Sequence, residues 1–237
     1  AIVFFFSLGM STPAKAANLA SHSLPVANAA HATSACDLSA HDEASLNQAI
    51  ACVNSAGSGS QTIQVTADIA LTQPTKPITN TVLDEVVIAG NFHAIDAQGN
   101  GRVFDVQSVK ALTVRDLTLR GGNVVTATDG IVPDWGGGLR YYCGEGQSCT
   151  GLLTNVTLVN NQAGEGGGFA MYCYVDTTCT TTLIDTAVIG NEAQRGGGIS
   201  GGFDEENFAY ALQVTNSVVE GNRAELGGGI FLRGATL

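Results

Sequence analysis

Asn161-Gln162-Ala163-Gly164-Glu165-Gly166-Gly167-Gly168-Phe169 recurs as Asn191-Glu192-Ala193-Gln194-Arg195-Gly196-Gly197-Gly198-Ile199 and again as Asn222-Arg223-Ala224-Glu225-Leu226-Gly227-Gly228-Gly229-Ile230. A fourth triplet, Gly136-Gly137-Gly138-Leu139, precedes them, so triplets start at Gly136, Gly166, Gly196 and Gly227, a spacing of 30 or 31 residues. A fixed period in this range marks an array of stacked structural units. Each unit also holds a strand-like run leading into a turn: V-R-D-L-T-L-R-G-G-N, L-T-N-V-T-L-V-N-N-Q-A, I-D-T-A-V-I-G-N-E-A and V-T-N-S-V-V-E-G-N-R-A.

Asn161, Asn191 and Asn222 each stand five residues before their triplet. Asparagine tolerates left-handed backbone and bonds to neighbouring main chain. Stacked units would bring these amides to the interstrand spacing of about 4.8 Å, which predicts a structural side-chain ladder. The triplets suit corners that need positive φ and close backbone approach. No helix or G-K-[ST] follows them, so they are not phosphate-cradling loops.

Upstream of the repeats, from residue 61, the chain reads as short β-type runs: T-I-Q-V, I-A-L, E-V-V-I, V-F-D-V and L-T-V. Turns are expected at Gly90-Asn91 and at Gln98–Gly101. One helix is predicted, over 42–54, where Leu46, Ala49, Ile50 and Val53 follow helical spacing and Asp42 is the N-cap. Strands joined by turns without crossover helices exclude a doubly wound α/β fold. Thirty residues leave little room for a four-stranded propeller blade. The fold class expected is all-β, a right-handed parallel β-helix whose first hydrophobic layer is covered by the short helix.

Glycine supplies 30 of 237 residues and charged residues only 13%, which suits short buried strands and tight turns. A net charge of −11 argues against nucleic acid and against anionic membrane surfaces. The apolar run A-I-V-F-F-F-S-L-G-M followed by Ala14-Lys15-Ala16 reads as the end of a secretory signal, too short to span a bilayer. The expected organisation is a partial signal peptide over 1–16, a linker over 17–35, a cap over 36–60 and the repeat domain over 61–237, as an exported monomer with no transmembrane segment in this region.

Export fits the six cysteines. Cys143 and Cys149 are six residues apart, as are Cys173 and Cys179, at equivalent places in adjacent repeats. Their repeats lack His, and the spacing is wider than C-x-x-C zinc pairs. Disulfides are therefore expected, paired within each repeat as Cys143–Cys149 and Cys173–Cys179. Adjacent-strand spacing also allows Cys143–Cys173 with Cys149–Cys179. Cys36 and Cys52 would pin the start of the helix.

The unit N-x-A-x-x-G-G-G-[ILF] resembles the repeats of bacterial polymorphic outer membrane proteins and related secreted β-helix proteins. S-L-N-Q-A-I-A-C-V-N at Ser45–Asn54 is similar to the C-S-L-R-E-A-I-x-x-A-N segment that opens many of them, with Asn47 and Gln48 in place of the charged pair. The resemblance covers roughly residues 36–237 and implies a β-helix fold, export and a surface-exposed, often adhesive role.

Polysaccharide-cleaving enzymes share that fold, but the N-T-D, D-D, G-H-G and R-I-K segments of polygalacturonases do not occur. Asp96, Asp105 and Asp116 are spaced so that they might meet on successive strands, as a carboxylate pair for glycoside hydrolysis requires. Asp116 aligns with Asn155, Asp185 and Asn216, which favours backbone bonding instead. No catalytic set, cofactor or metal is assigned. The least repetitive residues follow the triplets: Tyr142 and Tyr172 at one repeat position, then Glu145, Asp176, Asp204, Glu205 and Glu206. Aromatic faces suit sugar rings and convergent acids suit calcium, while a solvated acidic surface is the plainer reading of the acids. The expected function is adhesion or glycan binding at a cell surface, with an extracellular glycan or a host or neighbouring cell surface as partner. The alternatives are a polysaccharide lyase or hydrolase and a passive surface spacer.

Overall fold

The computed structural model describes residues 36–125, 134–202 and 209–236. The expected signal and linker segments lie outside that range, as do Asp204, Glu205 and Glu206. After β1 (Ser39–Ala40) comes α1 (Glu43–Ser55). Asp42 caps it: its carboxylate accepts from Ser45 N at 2.8 Å, and the Ser45 hydroxyl accepts from Asp42 N at 3.0 Å. Leu46, Ala49, Ile50, Cys52 and Val53 form its buried face. Cys36 and Cys52 are bonded, with Cα atoms 5.6 Å apart. The polar face ties down the chain between residues 72 and 80. Glu43 accepts from Thr72, Asn47 from Lys76 N and Asn54 from Thr79 N, each backbone contact at 2.8 Å. No helix among the described residues is long and apolar enough to cross a membrane.

All other regular elements among the described residues are strands. The first half contributes β2 (Ser60–Val65), β3 (Ile69–Ala70), β4 (Glu85–Asp96), β5 (Phe104–Gln107) and β6 (Ala111–Arg120). The repeats contribute β7 (Leu139–Cys143), β8 (Ser148–Val159), β9 (Phe169–Cys173), β10 (Thr178–Ile184), β11 (Ala187–Ile189) and β12 (Ile199–Gly202). The last are β13 (Ala209–Thr215), β14 (Val218–Glu220), β15 (Ile230–Arg233) and β16 (Ala235–Thr236). They form two sheets in which every pairing is parallel: a large one through β1-β2-β4-β6-β8-β10-β13-β16, and a small one in the order β5-β7-β9-β12-β15. The described residues are therefore all-β apart from α1, and successive repeats lay their strands side by side in register, Leu139 on Phe169 and Phe169 on Ile199.

Side chains alternate across the small sheet. Phe104, Val106, Leu139, Tyr141, Cys143, Phe169, Met171 and Cys173 are fully or almost fully buried. The core adjusts its volumes between the sheets. Tyr141 lies over Gly151 of the large sheet, whereas Gly201, in the same column as Tyr141 and Met171, leaves its space to the ring of Tyr210. Tyr210 in turn occupies the column of Cys149 and Cys179. The third repeat thus sets one large side chain, Tyr210, where the earlier repeats have a disulfide cysteine.

Two polar columns hold the register. Asn161 donates Nδ2 to Asn191 Oδ1 at 3.0 Å, and Asn191 does the same to Asn222 at 3.0 Å. Each Oδ1 also accepts the backbone N–H of the preceding asparagine at 2.9 Å. The left-handed backbone expected at these asparagines sits one residue earlier, at Asn160, Gly190 and Gly221 (φ 55°, 64° and 63°). That residue turns the chain and the asparagine behind it points inward. In the second column Asp116, Asn155, Asp185 and Asn216 all have positive φ, and each amide donates to the acid of the preceding repeat, at 2.8 and 3.1 Å. The turn expected at Gly90-Asn91 is instead a bulge within β4, where the register shifts between Ala89 and His93. The Asn91 side chain there donates Nδ2 to Val65 O at 2.8 Å, and pairing with β6 resumes at His93.

Candidate functional site: an aromatic cleft on the outer face of the small sheet

Residues alternating with the core-facing ones, Asp105, Gln107, Arg140, Tyr142, Ala170 and Tyr172, share the other face of β5, β7 and β9, where Arg140, Ala170 and Tyr172 are themselves largely covered. Tyr142 and Tyr172 are register partners, and their rings stack with centroids 5.4 Å apart and planes 21° apart. Trp135, just before the first triplet, stacks on Tyr172 at 4.3 Å. Tyr174 leans towards both tyrosines, 6.4 Å from each. Four rings from two successive repeats therefore gather on one face, positioned by strand register.

Beside this stack the Arg140 side chain is 8% exposed, with Nε donating to Asp105 Oδ1 at 2.9 Å. Asp105 Oδ2 accepts from Gln107 Nε2 at 2.9 Å and lies 3.6 Å from Arg102 Nη1. Arg102 also donates Nη2 to Trp135 O at 2.7 Å, which fixes the start of the triplet corner. Burial lowers the Arg102 pKa against the pull of Asp105. A cleft of about 340 Å³ opens between Gln107, Trp135, Arg140, Tyr142, Tyr172 and Tyr174. That is at the lower end of the ~300–1,000 Å³ range of ligand clefts. Burial raises the Tyr142 pKa, with Tyr174 and Glu145 adding to the effect and Arg140 opposing it, so the phenol enters the cleft as a neutral hydrogen-bonding group at physiological pH.

The turns that follow are short and stacked: Tyr174 N donates to Cys143 O at 3.1 Å and Thr178 N to Gln147 O at 3.2 Å. Cys143–Cys149 and Cys173–Cys179 are joined within their repeats, with Cα separations of 5.9 and 6.2 Å. Cys143 is register partner to Cys173, and Cys149 to Cys179, yet the bonds run across each turn from the small sheet to the large one. All four sulfur-bearing side chains are buried. The bridges are thus part of the core beneath the turns and do not project as loop braces. Glu145 and Asp176 are exposed in the turns. Among the described residues no group of three or more His, Cys, Asp or Glu side chains converges on a metal position.

The three acids examined for catalysis are separately engaged. Asp105 belongs to the small sheet and is paired with arginine. Asp96, in the large sheet, accepts from Arg120 Nε at 2.9 Å and Gln98 N at 2.8 Å. Asp116 accepts from Asn155 in the turn column. Trp135, Arg140, Tyr174 and Gln107 were not singled out from the sequence. The period-two pattern of Arg140-Tyr141-Tyr142-Cys143 and Ala170-Met171-Tyr172-Cys173-Tyr174 carries the signal for Arg140 and Tyr174, since it sets them on the face of Tyr142 and Tyr172. No protein-family model, curated protein or solved structure matches the chain.

Proposed function

We propose that this chain is an exported, surface-associated right-handed parallel β-helix that binds extracellular glycans through the aromatic cleft. Two parallel sheets that gain strands from each repeat of about thirty residues support the architecture, and parallel crossovers are right-handed in nearly all proteins. The three disulfides are compatible with an oxidising, extracellular setting, and the resemblance to polymorphic outer membrane repeats points the same way.

The Trp135–Tyr172–Tyr142 stack carries the functional reading. Tyr172 is covered on both sides and holds Trp135 and Tyr142 in place, and the outer ring surfaces and polar edges of those two match the C–H faces and hydroxyls of a sugar ring. The strands and the buried bridges beneath them hold the rings in place, so little side-chain entropy is lost on binding. A flat, open cleft with one arginine and one glutamine suits recognition of a chain that continues beyond it. The deciding experiment is glycan-array binding of the purified oxidised protein, repeated with Tyr142→Ala and Tyr172→Ala together. Binding to defined glycans that falls at least about tenfold in the double variant, with unchanged circular dichroism, supports the reading. Binding untouched by the double variant places the function elsewhere on the molecule.

A further inference from the structure

Arg140 stands out among the cleft residues because its charge is sunk into the wall while its hydrogen bonding is incomplete. Nε is used on Asp105. The remaining guanidinium donors, on Nη1 and Nη2, have no hydrogen-bond acceptor among the described residues, although the side chain is only 8% exposed. Neither nitrogen is among the side-chain atoms sealed from solvent without a partner, so the outer edge of the fork is open to a charge-assisted contact. The next strand supplies no side-chain acceptor at this position: the register partner of Arg140 in β9 is Ala170. Arg140 itself lines the cleft walled by the aromatic stack.

We propose that Arg140 is the specificity-determining residue of the cleft and receives the carboxylate of an acidic sugar, a uronic acid, whose ring lies on the Tyr142–Tyr172–Trp135 stack. This rests on the glycan-binding reading above and narrows it. Guanidinium matches a planar carboxylate through parallel N–H···O bonds. Asp105 holds the arginine by Nε, orienting the fork and leaving its outer edge for the ligand. Gln107, register partner of Tyr142, adds an amide at the cleft margin for a sugar hydroxyl. An acidic ligand is otherwise disfavoured by a chain of net charge −11, so recognition depends on the Arg140 guanidinium in the cleft wall.

The test compares ligands on the unaltered protein, which avoids any folding defect from removing Arg140. Calorimetric titrations use short oligogalacturonates, oligomannuronates and hyaluronan fragments, each against the same oligomer after carboxyl reduction, with O-sulfated neutral oligomers as a third arm. At least one uronate is expected to bind about 10–100-fold tighter than its reduced form, the range for a charge-assisted contact. The preference should weaken with salt and disappear in Arg140→Gln, with Arg140→Lys intermediate. Reduced and acidic forms binding equally, with both lost in Tyr142→Ala, would overturn the carboxylate proposal and leave glycan binding standing. Sulfated oligomers binding as tightly as uronates would also overturn it, in favour of a general anion site. Failure of every oligomer to bind would overturn the carboxylate proposal, while the glycan array decides the broader reading.

Discussion

Replacing Asn191 by alanine isolates what the amide column contributes to the fold. Asn191 is fully buried, and its side chain makes four hydrogen bonds. Oδ1 accepts from Asn161 N and Asn161 Nδ2, at 2.9 and 3.0 Å, and Nδ2 donates to Leu158 O and Asn222 Oδ1, also at 2.9 and 3.0 Å. After truncation Asn161 Nδ2 keeps Leu119 O, and Asn222 Oδ1 keeps Asn191 N. Asn161 N loses its side-chain acceptor inside a fully buried residue, which costs about 1–3 kcal/mol. The weakened bonds to Leu158 and Asn222 add about 1 kcal/mol each. The total is about 4 kcal/mol, a large share of the ~5–15 kcal/mol that stabilises a domain. Asn222→Ala loses a similar set of contacts at a half-exposed position where water can replace them, so about 1–2 kcal/mol is expected. Urea unfolding of the oxidised protein, followed by circular dichroism and by tryptophan fluorescence, measures both against the exposed control Gln213→Ala. An Asn191→Ala cost below about 1 kcal/mol, or one no larger than that of Asn222→Ala, would refute the reasoning that burial and chain-to-chain continuity make this column stabilising.

Gly167→Ala should destabilise by several kcal/mol or prevent folding, because the new methyl carbon would lie 2.5 Å from Gly197 O and 2.6 Å from Glu192 O, both main-chain atoms. Gly146→Ala meets nothing within 4 Å and bears only the strain of φ +67°, about 1–2 kcal/mol. Similar denaturation midpoints for the two variants would contradict the close-approach account of the triplet. Burial holds Tyr141 and Tyr210 neutral and raises both above the ordinary value of 10.0. The unfolded chain therefore releases those protons first, and stability falls as pH rises through about 10. In an alkaline titration part of the tyrosinate absorbance should appear only as the β-sheet signal is lost; complete ionisation near pH 10 with the sheets intact would count against this. Non-reducing peptide maps, with cleavage inside each loop at Glu145 and Asp176, should recover Cys143 joined to Cys149 and Cys173 to Cys179. Each bridge closes a six-residue loop, worth about 2 kcal/mol on the chain-entropy estimate, and a recovered Cys143–Cys173 peptide would contradict the in-repeat pairing.

Strand order and register were legible in the sequence because the repeat is a one-dimensional signal. Identical spacing of Asn161, Asn191 and Asn222 means that one geometrical solution serves every unit, and parallel stacking turns equal spacing into side-by-side contact. The helix was legible for a different local reason: Asp42 and Ser45 close its first turn, and the apolar spacing from Leu46 to Val53 specifies its buried face. Local chemistry does not set what a strand meets on its outer face. Tyr142 and Tyr172 were visible as a repeated position, but Trp135 joins them from the far side of the glycine corner. Arg140 acquires its character only when Asp105, 35 positions earlier, is brought alongside and the aromatic rings of two repeats close a cleft around it. Disulfide pairing was likewise undecided while adjacent-strand and in-repeat partners were both within reach. The tertiary structure decides it by placing Cys143 and Cys149 in different sheets, facing each other across the core, whereas Cys143 and Cys173 lie side by side in one sheet. The repeat thus determined which strands pair, and the packing of two sheets against each other decided which side chains face a common cleft.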